Sequence, residues 1–204
     1  EGLALVHTSS QNIDRIVSIM RASIRTGRKL VIDLYTAAIL EATGNANIPQ
    51  SNWENIALLI PQSQRVQIKK NGWFSLLNHH SLNRIYIEDL YKQKEKSALI
   101  FRPLFCRDLE RGDCLGGAVY IYSQWEGYWE QDSYNDLKAW LEHNNIPKIS
   151  IHTSGHASPT DLKEMVKAIN PQKVVPIHTF FPERYASLFP GVEIHADDEW
   201  WEVK

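Results

Sequence analysis

Short apolar runs alternate with amphipathic stretches along this chain, which is the pattern of an α/β protein. Largely apolar runs at residues 3–6, 29–34 and 56–60 have the length of strands that are buried on both faces of a parallel sheet. Between the first two runs, apolar residues recur at helical spacing over residues 13–24, and Gly27 follows where such a helix would end. The strand, helix, strand order predicts a parallel crossover. We therefore expect an α/β fold with a mostly parallel sheet flanked by helices.

The same periodicity assigns the rest of the chain. Further helices are predicted over residues 36–42, 65–77, 81–92 and 134–144. Further strands are predicted at residues 98–101, 118–122 and 148–151. Residues 107–117 are charged and contain glycines, so we expect them to form a connection between two strands.

Composition limits the class of protein. With 204 residues and 43% apolar content, the chain can bury the core of one α/β domain with an added piece of a second. It contains no run of 18 apolar residues, which argues against a membrane span. Only two cysteines occur, Cys106 and Cys114, and this usage favours a reducing cytoplasm. Free thiols are the expected state, and a loop disulfide is the alternative.

Charge is distributed unevenly, although the net charge of −2 argues against a general polyanion binder. Residues 63–111 carry ten Lys or Arg against five acids, whereas residues 125–145 carry five acids and one base. A local basic face could follow a phosphate backbone. The alternative is an ordinary solvated helix face, which we favour for Lys92, Lys94 and Lys96.

Two short segments carry the strongest chemical signal. Residues 149–158 are Ile-Ser-Ile-His-Thr-Ser-Gly-His-Ala-Ser, and residues 174–178 are Val-Val-Pro-Ile-His. Each places a histidine after a β-branched run, where an α/β protein exposes side chains at the carboxyl ends of its strands. We therefore expect the two histidines to converge on one site.

The first of these segments leads into a predicted helix. Ser158 is expected to be its N-cap, Pro159 its first residue and Asp161 its third. The loop of residues 153–156 therefore precedes a helix N-terminus, where free N–H groups and the helix dipole favour an anion. Small residues with hydroxyl groups suit the close approach of a phosphate.

These two segments resemble motifs B and C of the β-CASP branch of the metallo-β-lactamase fold, the ribonuclease J-like RNA-processing nucleases. The similarity to bacterial RNA-specific metallo-β-lactamase proteins continues through residues 176–185 and 199–202, and it extends to residues 3–42. The resemblance implies that residues 1–147 form the β-CASP cap, a Rossmann-like α/β domain. It implies that residues 148–204 return to the metallo-β-lactamase core.

The resemblance also implies roles for particular residues. His178 would be a zinc ligand, and His156 would be a catalytic residue in contact with the scissile phosphate. Ser154, Gly155 and Ser158 would hold the RNA backbone. In such a nuclease two zinc ions are expected, and zinc-activated water attacks the phosphodiester. RNA is the implied partner, no membrane is involved, and formation of a homo-oligomer is left open.

One departure from the family pattern is large. The chain has no His-x-His-x-Asp-His motif, and catalytic zinc sites take about three protein ligands per metal. We therefore expect a C-terminal portion of a longer hydrolase that is inactive alone and binds zinc weakly or not at all. The absence of an initiator Met before Glu1 favours the same interpretation. The alternatives are a noncatalytic nucleic-acid-binding or assembly module, and a metallo-hydrolase of another ester.

Other candidate residues receive structural interpretations. Asp33 follows an apolar strand, but no Gly-x-Gly-x-x-Gly precedes it, so we expect it to cap the turn at residues 35–36. His152 is expected to be a packed or supporting residue. The remaining five histidines, His7, His79, His80, His143 and His195, have no supporting pattern. The aromatic residues Trp125, Tyr128 and Trp129 either stack on bases or pack the turn after a strand, and packing is expected for at least one.

Overall fold

The computed structural model describes residues 2–153 and 157–202. The chain divides into two compact units, Glu1–Thr153 and Ser154–Lys204, which are called the first and second units below. Among the described helices, none is both long enough and apolar enough to cross a membrane.

The first unit is built on a sheet of seven parallel strands in the order β4-β3-β2-β5-β1-β6-β7. The strands are β1 (Ala4–His7), β2 (Lys29–Ile32), β3 (Ile56–Leu59), β4 (Arg84–Ile85), β5 (Ser97–Phe101), β6 (Val119–Tyr122) and β7 (Lys148–Ser150). The expectation of an α/β fold with a mostly parallel sheet is confirmed.

Helices connect the strands. They are α1 (Ile13–Arg25), α2 (Leu34–Ala42), α3 (Gln62–Asn71), α4 (Phe74–His80), α5 (Ile87–Gln93), α6 (Cys106–Arg111), α7 (Glu126–Trp129) and α8 (Asn135–His143). Successive residues of a strand point to opposite faces, so the buried strands feed two hydrophobic clusters. One contains Ile16 of α1 and Leu40 of α2, and the other contains Leu109 of α6 and Leu141 of α8. Helices therefore cover both faces of the sheet, which explains why the central strands are continuously apolar.

The structure corrects two of the predicted helices. The helix expected over residues 65–77 is split into α3 and α4, because Gly72 adopts a left-handed conformation with φ +69° and ends α3. The helix expected over residues 81–92 is wrong at its start. Residues 84–85 instead form β4, which pairs with β3 through Leu58 and Leu59. Pairing with the open edge of the sheet outweighed local helical spacing.

The connection expected at residues 107–117 is also partly wrong. Its first part is helix α6, and only the remainder is a loop. Leu109 on this helix is fully buried in the core. Burial of this side chain provides the stabilisation that the charged sequence of the segment did not suggest.

The second unit contains one α-helix among its described residues, α9 (Pro159–Ile169). The predicted N-cap, Ser158, is confirmed. The β-branched run before His178 does not form a strand: Val174 makes an isolated bridge with Val192, and His178 has a left-handed backbone with φ +57°. The expectation of a histidine at a strand end is therefore wrong here, because Pro176 lacks the N–H that would extend the pairing.

Strand β7 contains the first two residues of the segment 149–158. It pairs with β6, so residues 148–150 belong to the sheet of the first unit. The expected division at residue 147 falls before this strand. The assignment of the two parts of the chain to a cap and to a metallo-β-lactamase core stays a prediction.

Candidate functional site

The carboxyl ends of β1 and β6 form a topological switch point. From β1 the chain continues to β2, which lies toward one edge of the sheet. From β6 it continues to β7, which lies at the opposite edge. Helix α1, which follows β1, packs in one hydrophobic cluster, and α8, which precedes β7, packs in the opposite one. Connections that diverge in this way leave a crevice at the carboxyl edge, which is the usual ligand position in an open α/β sheet.

Arg15 on the first turn of α1 joins the loops at this edge. Asn12 caps the helix by accepting a hydrogen bond from the Arg15 backbone N–H at 3.1 Å. The Arg15 guanidinium donates to the Ser123 carbonyl at 2.8 Å and to the Ser123 hydroxyl at 3.0 Å. It also donates to Nδ1 of His152 at 2.8 Å and to the Thr153 carbonyl at 2.7 Å. One side chain therefore fixes the residues after β6 and after β7.

The Arg15 contacts define which ring nitrogen of His152 accepts a hydrogen bond. A guanidinium can only donate, so Nδ1 of His152 accepts, and the ring proton of the neutral imidazole lies on Nε2. The expectation that His152 is a supporting residue agrees with this position, although it lies beyond β7 and is exposed. Arg15 itself was not singled out from the sequence, because its partners are more than 100 positions away along the chain.

The predicted phosphate-binding residues follow directly after Thr153. Ser154, Gly155 and His156 lie outside the described residues, so their predicted roles stay predictions. Ser158 accepts a hydrogen bond from the Asp161 backbone N–H at 3.2 Å, and its hydroxyl donates to Oδ2 of Asp161 at 2.7 Å.

This capping box has an electrostatic consequence. The hydrogen bond from the Ser158 hydroxyl, helped by the Ser158 backbone N–H, holds the pKa of Asp161 below its usual value. The hydroxyl proton is engaged by that carboxylate, so Ser158 can donate to a phosphate only when the capping box opens. The predicted contact of Ser158 with an RNA backbone is untested.

His178, the predicted zinc ligand, is exposed. In the described parts of the chain, one group of three or more ligating side chains lies close enough together to bind an ion, and His178 is not in it. A catalytic zinc ion needs about three protein ligands. The described residues therefore do not by themselves fit the zinc centre that the resemblance implies.

A buried polar network supports the carboxyl edge at β2 and β5. Asp33 accepts hydrogen bonds from the backbone N–H and the hydroxyl of Thr36 at 2.8 and 2.7 Å. It also accepts one from Nε2 of Gln64 at 2.8 Å and forms an ion pair with Arg102. The Arg102 guanidinium lies 4.8 Å from the centre of the Tyr35 ring. The predicted cap of the turn after β2 is confirmed, whereas Gln64 and Arg102 were not foreseen.

His7, for which the sequence offered no supporting pattern, ends β1 inside an aromatic cage. Its Nδ1 is hydrogen-bonded to the Tyr120 hydroxyl at 2.5 Å, and the rings of Phe101, Tyr122 and Tyr134 surround it. Burial, with a smaller contribution from the charge of Arg102, lowers the pKa of His7 to about 4. His7 is therefore neutral at physiological pH.

One of the three aromatic residues after β6 packs inward, and the other two are exposed. Trp129 packs on Tyr122 with ring centres 5.2 Å apart, which confirms that at least one of them packs inward. Trp125 and Tyr128 are exposed and meet edge to face at 5.3 Å. An exposed aromatic pair therefore follows the strand whose end Arg15 binds.

Comparison with known proteins identifies the segment that begins at β7. Residues 147–186 match the family model described as the Zn-dependent metallo-hydrolase RNA specificity domain. The matched residues include His152 and Thr153, which Arg15 binds, and both histidine motifs. No curated protein matches the chain. This match agrees with the predicted resemblance to the β-CASP branch of the metallo-β-lactamase fold, and it makes residues 147–186 similar to an RNA specificity domain of Zn-dependent metallo-hydrolases.

Proposed function

We propose that this chain is the RNA-holding part of a zinc-dependent hydrolase of the β-CASP type, which cleaves RNA phosphodiester bonds. The observation that supports this most is the match of residues 147–186 to the RNA specificity domain, which spans both histidine motifs. His156 contacts the scissile phosphate, and Ser154, Gly155 and Ser158 hold the sugar–phosphate backbone. His178 is a zinc ligand whose fellow ligands are absent from this sequence.

The chemistry of the proposed contacts suits an RNA backbone. A histidine beside a phosphoryl oxygen can donate a hydrogen bond to charge that develops during attack on phosphorus. In the first unit, the exposed pair Trp125 and Tyr128 offers stacking surfaces for bases, each worth about 1–3 kcal/mol. Binding of a single strand through its backbone and its bases needs no particular base sequence.

In this proposal, the 204-residue chain does not cleave RNA by itself. The sequence lacks the His-x-His-x-Asp-His motif, and His178 belongs to no metal-binding group in the parts of the chain that the structure describes. A single imidazole holds zinc weakly. Zinc-dependent cleavage of RNA by the 204-residue chain would contradict this part of the proposal.

Binding of a labelled single-stranded RNA, measured by fluorescence anisotropy, tests the proposal. We expect His156→Ala to weaken binding about tenfold, because it removes a hydrogen bond to a charged phosphate. His143→Ala, which changes an exposed histidine at the end of α8, should bind like the wild type. Equal affinities for all three proteins, or no RNA binding by the wild type, would overturn the assignment.

Arg15 is proposed to be a positioning residue for His152 and Thr153, which directly precede the predicted phosphate-binding residues. Arg15→Ala and Arg15→Lys should weaken RNA binding to a similar extent, because lysine keeps the charge but cannot make the four contacts to Ser123, His152 and Thr153. Hydrogen exchange of residues 148–153 should rise in both variants. Wild-type affinity and exchange in Arg15→Lys would show that charge alone matters.

The whole hydrolase provides the test of the catalytic roles. There, His178→Ala should lower zinc occupancy, whereas His156→Ala should retain zinc and slow turnover. Normal cleavage by both variants would refute the assignment of these residues.

A further inference from the structure

Three metal-ligating side chains meet where helices α2 and α4 end. Glu41 lies in the last turn of α2, and His79 and His80 are the last two residues of α4. Oε1 of Glu41 is 2.5 Å from Nε2 of His79, and Oε2 is 3.4 Å from Nε2 of His80. One ligand atom from each residue can be chosen so that all three lie within 4.8 Å of one another. This group is called the α2–α4 cluster below.

His80 is the buried member of the cluster and the one held most firmly. Its side chain is 2% exposed, and its Nδ1 lies 2.8 Å from the Ser51 hydroxyl. Its Nε2 is buried without a hydrogen-bond partner. When Nδ1–H donates to Ser51, Nε2 presents a lone pair toward Glu41. A histidine whose far nitrogen is held by a second group is the usual arrangement of a metal ligand.

The geometry and charge of the cluster suit a small divalent cation. Ligand distances of 2.0–2.2 Å in a tetrahedral zinc site place ligand atoms about 3.3 Å apart. The observed separations lie on both sides of that value. Glu41 and His79 have side chains 47% and 60% exposed, so they can rotate to meet an ion beside the fixed His80. The carboxyl ends of α2 and α4 add the negative end of a helix dipole.

We propose that Glu41, His79 and His80 bind a divalent transition-metal ion of the zinc class. Two imidazoles and one carboxylate form a ligand set that zinc accepts, and water would complete the coordination on the exposed side. None of the three residues belongs to residues 147–186, and the proposal does not depend on RNA binding or cleavage. A hydrogen-bonded group of histidines and glutamate without a metal is the competing explanation.

Zinc titration of the chelator-treated 204-residue chain by calorimetry tests the proposal. We expect one site that Glu41→Gln and His79→Ala each weaken at least tenfold. Both changed side chains are exposed, so folding should be retained, which circular dichroism can verify. Ser51→Ala should weaken binding about 10- to 100-fold, because it releases the ring of His80.

Two further variants separate this site from other histidines. His143→Ala and His178→Ala should keep the site, since neither residue belongs to the cluster. Cobalt should replace zinc and give the visible absorption of a site with nitrogen and oxygen ligands, which is lost in Glu41→Gln and His79→Ala. Unchanged zinc affinity in those two variants, or loss of the site in His178→Ala, would overturn the proposal.

Discussion

At the scale of single residues, Asp33 is the charge on which the carboxyl edge of the sheet most depends. It is fully buried, accepts three hydrogen bonds from Thr36 and Gln64, and forms an ion pair with Arg102. We expect Asp33→Ala to lower the free energy of unfolding by about 3 kcal/mol, because it leaves the charge of Arg102 without its partner in a largely buried position. Urea unfolding followed by circular dichroism measures the change.

A partly exposed ion pair in the same unit provides the control. Glu126 pairs with Lys148, and the Glu126 side chain is half exposed. Glu126→Ala should cost less than about 1 kcal/mol, as surface ion pairs usually do. Equal losses in Asp33→Ala and Glu126→Ala would show that the buried network does not stabilise the fold.

His7 makes the stability of the first unit depend on pH. Its pKa in the folded state is about 4, below the usual value of 6.5, so the unfolded chain takes up the proton more readily. The contribution of His7 to stability is therefore complete above about pH 6.5 and is lost as the pH falls toward about 4. The full loss amounts to about 3 kcal/mol.

The variant His7→Asn isolates this contribution. Asparagine keeps a hydrogen-bonding partner for the Tyr120 hydroxyl but takes up no proton. It should be less stable than the wild type at pH 8, and the difference between the two proteins should shrink as the pH falls from 6.5 to 4.5. The matched variant His143→Asn, on the surface, should follow the wild type at every pH. A constant difference between His7→Asn and the wild type would contradict the assignment.

The residues that sequence analysis identified are those with local partners. Asp33 caps a turn three residues away, and Ser158 bonds Asp161 in the same way, so both were predictable from spacing. The partners of Arg15 and the burial of His7 depend on which strands become neighbours. Because the order of strands is not written in local spacing, neither feature could be read from the sequence.

At the scale of secondary structure, β7 is the strand that decides where the first unit ends, because it pairs with β6. Its three residues pair with Tyr120, Ile121 and Tyr122 at the edge of the sheet. A chain ending at residue 147 loses this pairing and also His152 and Thr153, which Arg15 binds. We expect residues 1–153 to unfold cooperatively and residues 1–147 to be less stable by about 1 kcal/mol or more, since several backbone hydrogen bonds are lost.

Urea unfolding of the two truncated proteins makes the comparison. The addition of Glu126→Ala to residues 1–153 controls for the loss of Lys148, which pairs with Glu126. Equal stability of residues 1–147 and 1–153 would mean that β7 belongs energetically with the segment that follows it.

Helix and strand prediction succeeded where burial and local signals agree. Strands β1, β3 and β5 are short, apolar and completely buried, and α9 begins at its predicted cap. Prediction failed at β4 and α6, where a charged or polar sequence is held by tertiary contacts, and after Val174, where an apolar run lacks a neighbouring strand. In these cases the deciding interactions are distant in sequence.

At the scale of the whole molecule, the candidate functional residues are distributed over the two compact units. The first unit contains the complete sheet, the Arg15 contacts and the α2–α4 cluster. The second contains both histidine motifs, apart from the residues that lead into the first motif. The motifs pointed to the matching family model from sequence because their residue types and spacing are local. The contacts of Arg15 with His152 and Thr153, at the end of the first unit, were visible only in the fold.

The position of β1 in the sheet has a consequence for synthesis of the protein. Of the seven strands of this sheet, β1 is made before the others, but its two neighbours are β5 and β6, and β5, the nearer of the two in sequence, begins at Ser97. At about 5–20 residues per second, the ribosome needs roughly 5 to 20 s to reach that strand. During this interval the nascent chain carries an apolar strand with no partner, so binding by a chaperone is most useful to this protein before its fifth strand emerges.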